Sequence, residues 1–180
     1  SVFLGALSGF TIAVTADRRA EEQAELIARR GGEVVFGPVI KTLPLSDETR
    51  LAASTAAVLV DRPDVVVLST ALGVRGWFSG AEGLGIADEL RDVLDSSELM
   101  ARGPKAAGAA LTVGLSVDWQ TPNATYAELV EHLANRPSTR ADGTPVRVAL
   151  QLDGERDSLL AVTIRDLGYD VVAIPIYEWH

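Results

Sequence analysis

GGEVVFGPVI, residues 31–40, and GYDVVAIPIY, residues 168–177, are two copies of one motif. At an offset of 137, Gly31 falls on Gly168, Val34-Val35 on Val171-Val172 and Pro38 on Pro175. Carried upstream, Arg19 falls on Arg156, each just past a strand-like run, TIAVTA (11–16) and VRVALQL (146–152). A strand–helix–strand unit therefore occurs twice, and such a repeat frames every other assignment. After the first copy the chain continues through a long α/β stretch, whereas after the second it stops at His180. The duplication is either partial or part of something longer. The second reading is favoured, because one strand–helix–strand cannot bury itself and needs partners from sequence beyond residue 180.

Composition narrows the class. A chain of 180 residues with 47% hydrophobic content can bury a sizeable core. It has no Cys, which excludes disulfides and thiolate metal sites and suits a cytoplasmic location. The apolar stretch VFLGAL (2–7) is interrupted by Gly5 and has no basic leader, so it reads as neither a signal peptide nor a membrane span. A net charge of −9 argues against nucleic acid as the ligand of this portion, since phosphate contacts need clustered cations. With only His132 and His180, no metal site is expected, and none of the glycine-rich nucleotide motifs is present.

Strands and helices alternate along the chain. Asp17 is placed to cap a helix over 18–30 that ends at Gly31-Gly32. VVFGPVIKTLPL (34–45) is extended, and its two prolines mark a crossing between layers or domains. Ser46 starts the next helix, and DVVVLST (64–70) reads as a strand covered on both faces. A helix begins near Gly73 and carries Trp77 and Phe78; GLGIADE (83–89) reads as a linker. ELMA (98–101) and LSVDW (115–119) read as strands flanking a helix over GPKAAGAALTVG (103–114). An amphipathic helix spans 125–133, and the polar loop RPSTRADGTP (136–145) is the segment expected to be disordered. The strand 146–152, a helix over 156–167 and a last extended run complete the chain. Alternating βα units of this kind build doubly wound parallel sheets. The expected organisation is a partial first domain from residues 1–40 and 173–180, and a complete second α/β domain from 43–170.

The basic residues fall where ligands bind. In open α/β sheets, sites lie beyond the carboxyl ends of the strands. Arg18, Arg19, Arg75 and Arg156 each follow a strand, and Arg102 and Lys105 flank the Gly103-Pro104 turn. A cation in the first turn of a helix opposes the helix dipole by roughly 0.3–1 kcal/mol. Their shared placement in an acidic chain points to a polyanionic ligand, a carboxylate in particular, although pairing with Asp17, Asp153 or Glu155 explains any one of them. Hydroxyls gather at the same edge: Ser69-Thr70 end one strand and Thr121 to Thr125 follow another, with capping the favoured role for Thr121 and Thr125.

The layout resembles the uroporphyrinogen-III synthase family, whose two flavodoxin-like domains are joined by two extended crossovers. VLSTALGVRGW (67–77) resembles the family's hydroxyl-bearing strand end, and ARGPKAAGAALTVGL (101–115) its Gly-x-x-Thr helix. TYAELVEHL (125–133) resembles the helix after the fourth strand, and residues 153–179 the stretch ending in the Val-Tyr crossover. The resemblance implies two parallel-sheet domains, a catalytic Tyr177, and a strand-end hydroxyl pair at Ser69 and Thr70. The family's Thr falls on Ala106, a departure that removes a hydroxyl, with Lys105 beside it as an anion contact. Gly73, Gly103, Thr125 and Gly154 complete the implied substrate contacts together with Arg18, Arg19, Arg75 and Arg156. The implied reaction is cyclisation of hydroxymethylbilane, a linear tetrapyrrole polycarboxylate, to uroporphyrinogen III with loss of water and no cofactor or metal. ARGPKA and VRGW look most like the actinobacterial branch, in which the domain is fused to a winged-helix DNA-binding domain. The resemblance therefore leaves two functions open, a lyase of heme biosynthesis and a non-catalytic tetrapyrrole sensor in a transcriptional regulator that would meet DNA through that further domain.

Overall fold

The computed structural model describes residues 5–15, 20–37, 42–44, 48–152, 159–175 and 177–179. The chain forms two compact units, Ser1–Leu43 with Trp179–His180, and Pro44–Glu178.

In the first unit, β1 (Thr11–Val14) pairs in parallel with β2 (Glu33–Phe36) through α1 (Ala20–Ala28). In the second, β7 (Arg147–Leu152) pairs in parallel with β8 (Asp170–Pro175) through α7 (Leu159–Asp166). The two are structural copies. Each helix ends on a glycine with positive φ, +83° at Gly31 and +95° at Gly168, a backbone state that side chains disfavour. Each glycine amide closes the helix, donating to Ala28 at 2.9 Å and to Arg165 at 2.8 Å. Thr11 pairs with Glu33 and Val148 with Val171, so at the constant offset of 137 the pairing register of the second copy is shifted by one residue. Burial differs: Val14 is the buried apolar residue of the first copy among the described residues, and α1 buries none.

The two extended runs meet as a two-stranded sheet of β3 (Thr42–Pro44) and β9 (Tyr177–Trp179). Between them lie α2 (Glu48–Val60), β4 (Val65–Leu68), α3 (Ala71–Gly83), α4 (Ala87–Asp95), β5 (Glu98–Ala101), α5 (Pro104–Thr112), β6 (Trp119–Gln120) and α6 (Tyr126–Ala134). The sheet order is β6-β5-β4-β7-β8, all parallel. Read from β8 and counted from β7, this is the 2-1-3-4-5 flavodoxin order in a circularly permuted chain. The direction of strand addition reverses between β4 and β7.

Both faces of this sheet are buried, as a nearly all-Val strand demands. Val66, Leu68, Leu99, Ala101 and Ala149 face the apolar cluster shared with α2 to α5. Val65, Val67, Met100, Val148 and Leu150 face the one shared with α6 and α7.

Several local expectations need correction. The GLGIADE linker runs into a helix, α4, whose Leu90, Val93 and Leu94 are buried. The LSVDW strand is shortened to Trp119–Gln120, because the Asp118 carboxylate takes the Leu99 N–H at 2.8 Å where a ladder would have run. The second sheet runs on to Pro175, past the 170 boundary drawn from sequence. Capping by Asp17 and Ser46 lies outside the described residues.

The loop 136–145 is ordered, and its arginines explain why. Arg136 makes a two-pronged pair with Glu98 at 2.8 and 2.5 Å. Arg140 donates to Asp64 at 2.7 Å, and the Arg147 amide reaches the same carboxylate at 2.7 Å. Burial pushes the Asp64 carboxyl up, but these donors outweigh it and hold it below its ordinary value. The contribution of Asp64 to stability is therefore present above the unfolded carboxyl value, about pH 4, and is lost as pH falls through the lower folded one. With the Asp64 side chain 38% exposed, Asp64→Asn is expected to cost about 1 kcal/mol at pH 7. Thermal melts across pH check this: the gap between wild type and variant should narrow as pH falls below the ordinary carboxyl value.

Candidate functional site

The carboxyl edge of the second sheet is laced by hydrogen bonds from one strand end to the next. Ser69 Oγ donates to the Gln151 carbonyl at 2.7 Å, joining β4 to β7. The Arg102 amide donates to Leu68 at 3.0 Å, and the Thr121 amide to Ala101 at 3.1 Å, joining β4 to β5 and β5 to β6. Thr121, fully buried, also donates its hydroxyl to the Arg102 carbonyl. It ties two strand ends together and caps no helix, which corrects the capping expectation.

Three helices whose starts are described begin along this edge. Thr70 caps α3, its hydroxyl accepting from the Gly73 amide at 2.9 Å. The Ala71 and Leu72 amides, first in that helix, take no partner among the described residues. α5 starts from Gly103 with Pro104 in its first turn and no side-chain cap. α6 starts from Thr125 in a capping box with Glu128. Asn123, donating at 2.6 Å, chiefly holds the Glu128 carboxyl below its ordinary range. Ala124, between them, has φ +58°, a left-handed state costing roughly 1–2 kcal/mol in a non-glycine residue. A Cβ at Gly103 would stand 2.8 Å from the Ala124 methyl, so the α5 and α6 starts meet only because residue 103 has no side chain.

Cations border these amides. Lys105 is exposed in the first turn of α5, and Arg75 is exposed just past the first turn of α3. The Arg102 guanidinium lies 4.7 Å from the centre of the Tyr126 ring. Free first-turn N–H groups and the positive ends of helix dipoles stabilise an anion by about 0.3–1 kcal/mol per helix, more when sheltered. Together these groups favour negative charge at this edge. Ser69, Thr70, Thr121 and Thr125 all spend a hydroxyl oxygen on backbone groups. Among the described residues no cluster of three or more His, Asp or Glu side chains is placed to hold a metal ion.

Of the implied contacts, Ser69, Thr70, Gly73, Arg75, Gly103, Lys105 and Thr125 fall on this edge. Ala106 is placed in the first turn of α5, but its methyl is buried in the apolar cluster. Arg18, Arg19, Gly154 and Arg156 lie outside the described residues, as does the Tyr177 side chain, whose backbone is in β9.

Gln151 was not among the sequence-based candidates. It is 2% exposed near the carboxyl end of β7 and accepts from the Ser69 amide through Oε1 at 3.2 Å. Among the described residues its Nε2 has no partner, a deficit that costs about 1–3 kcal/mol in a buried site. A polar side chain between Leu150 and Leu152 was the available signal.

A family model described as uroporphyrinogen-III synthase HemD matches residues 21–180. The chain belongs to that family. A mutant uroporphyrinogen III synthase from the extremely thermophilic bacterium Thermus thermophilus superposes with a TM-score of 0.76 at 26% identity, covering 95% of this chain and 63% of that one. The wild-type Thermus synthase gives a TM-score of 0.67 at 25% identity, covering 95% and 62%. A Bacillus subtilis (strain 168) relative carrying the name uncharacterized protein YjjA is 24% identical over 172 residues, 96% of this chain and 62% of that protein. The chain thus spans less than two thirds of the length of these relatives.

Proposed function

We propose that the protein acts as a uroporphyrinogen-III synthase, closing hydroxymethylbilane to uroporphyrinogen III with inversion of the last ring and release of one water. Beside family membership, one observation carries this reading: an edge of helix N-termini bordered by Arg75, Arg102 and Lys105 in a chain of net charge −9. A flexible polycarboxylate held at many points loses the freedom that would let it close at random, which is catalysis by positioning. Ring closure needs the terminal C–O bond to break. A general acid gives its proton to the leaving hydroxyl as the pyrrole nitrogen lone pair expels it as water, and loss of the pyrrole N–H proton to the conjugate base gives the azafulvene that is attacked in a spiro closure. Tyr177 is the proposed acid, carried by its match to the family's crossover tyrosine. Arg18, Arg19, Gly154 and Arg156 are proposed as further carboxylate contacts by their positions after strand ends.

A purely regulatory role draws its support from the Ala106 departure. Because that methyl is 1% exposed, its identity removes nothing from the accessible edge, and the enzyme reading is preferred. The test is to give the full natural chain freshly made hydroxymethylbilane, oxidise the products and separate the uroporphyrin isomers. Isomer III is expected to dominate. Isomer I alone, the product of unassisted closure, from a folded protein would overturn the reading.

A further inference from the structure

We propose that Tyr126 positions the Arg102 guanidinium as a carboxylate clamp between the starts of α5 and α6. The inference rests on the polycarboxylate substrate proposed above and names the residues at one of its anchoring points. Neither residue is among the contacts that the family resemblance implies.

The backbone of Arg102 is fixed from both sides. Its N–H donates to the Leu68 carbonyl at 3.0 Å, and its carbonyl accepts from the buried Thr121 hydroxyl. These bonds tie the residue after β5 to the end of β4 and to the residue after β6. Gly103 follows in an extended state and passes so close to Ala124 that a Cβ would meet the alanine methyl at 2.8 Å. That approach brings the Arg102 guanidinium to 4.7 Å from the ring centre of Tyr126, the first residue of α6. Tyr126 is itself held twice. Its backbone opens a helix closed by the Thr125–Glu128 capping box, and its ring is half-buried against the apolar cluster of α6 and α7. A fixed backbone at one end and a fixed ring at the other give the long arginine side chain a defined course.

This arrangement suits an arginine that grips a two-oxygen anion. A guanidinium is attracted to the face of an aromatic ring, where the quadrupole is negative. Its N–H donors lie in its own plane, so a ring can hold the group while an edge pairs with both oxygens of a carboxylate. An unrestrained arginine loses rotamer freedom when it closes on a ligand. One already laid on a ring loses less, and the difference appears as affinity. Lys105, exposed in the first turn of α5, adds positive charge at the same helix start. The ring face rather than the hydroxyl of Tyr126 carries this role, so phenylalanine should fill it.

The experiment measures binding of uroporphyrin III, a stable polycarboxylate probe, to the full natural chain and to folded variants, beside the isomer assay on the parent. Arg102→Met removes the cation and is expected to weaken binding about tenfold or more. Tyr126→Leu keeps an apolar side chain at the cluster but removes the ring face, for a loss of about threefold to thirtyfold. Tyr126→Phe keeps the face and should bind within about twofold of the parent. The double variant separates positioning from packing. If the ring acts through the cation, adding Tyr126→Leu to Arg102→Met should cost less than about twofold more. An equal loss from Tyr126→Leu in both backgrounds would mean packing alone and would overturn the positioning role. So would single variants that bind within about twofold of a parent that makes isomer III, with the synthase reading left standing. Coupled losses in a protein that makes only isomer I would sustain the clamp and sink the synthase reading. Failure of the parent to bind uroporphyrin III would remove both.

Discussion

Trp77→Ala is expected to be the most damaging single substitution for the second unit. The indole is fully buried in the apolar cluster among α2, α3 and α4. Its Nε1 donates at 2.9 Å to Thr55, whose hydroxyl in turn donates to the Leu51 carbonyl at 2.7 Å. Deleting a buried Trp removes its transfer free energy and leaves a cavity that neighbours fill only in part, about 3–5 kcal/mol together. Domains of this size are stable by roughly 5–15 kcal/mol, so a fifth or more of the total is at stake. Urea denaturation followed by far-UV circular dichroism, which does not depend on the deleted fluorophore, should show the midpoint falling by about 1–3 M. Trp77→Phe separates the two parts of the loss. It keeps most of the volume and forfeits the Thr55 bond, for about 1–2 kcal/mol. A midpoint shift under about 0.5 M for Trp77→Ala would mean that the α2–α3–α4 core is not packed around this indole.

How far the fold could be read in advance depended on whether local chemistry or distant partners decided each element. The repeat was legible because a helix that stops on a positive-φ glycine and re-enters a Val-Val strand leaves a fixed pattern, and Gly31 and Gly168 both carry it. The covered strand at 65–68 was legible because only burial on both faces selects an unbroken apolar run. α4 was missed although Ile86, Leu90, Val93 and Leu94 have helical spacing, because a glycine-bearing stretch that follows a helix rather than a strand reads as a linker. LSVDW alternates like a strand, and only the long-range bond from Leu99 to Asp118 shortens it. The loop 136–145 has the composition of disorder, yet Asp64 and Glu98, 76 and 38 residues away from their arginines, hold it. At the candidate site, Arg75 and Lys105 were visible as cations in unfavourable helix positions. Gln151 was not, since nothing in VALQL says which amide or helix start lies across from it.

Tyr177→Phe is expected to lower kcat for isomer III formation by about 10²–10⁴-fold while leaving uroporphyrin III binding nearly unchanged. The reasoning separates holding from reacting. Carboxylates gripped at helix N-termini fix the shape of the chain in ground and transition states alike, so that grip appears mainly in affinity. Departure of the hydroxyl needs a proton only as the C–O bond breaks, so its donor appears in kcat. Isomer composition gives a further readout: once assisted departure is slowed, unassisted closure in solution gains, and the product should shift towards isomer I. A tyrosine that merely packs in β9 predicts a different result, with the unfolding midpoint and probe affinity falling together and the isomer ratio held. Undiminished turnover in Tyr177→Phe would move the search for the acid to the remaining groups of the chain, with the carboxylate-holding edge left standing.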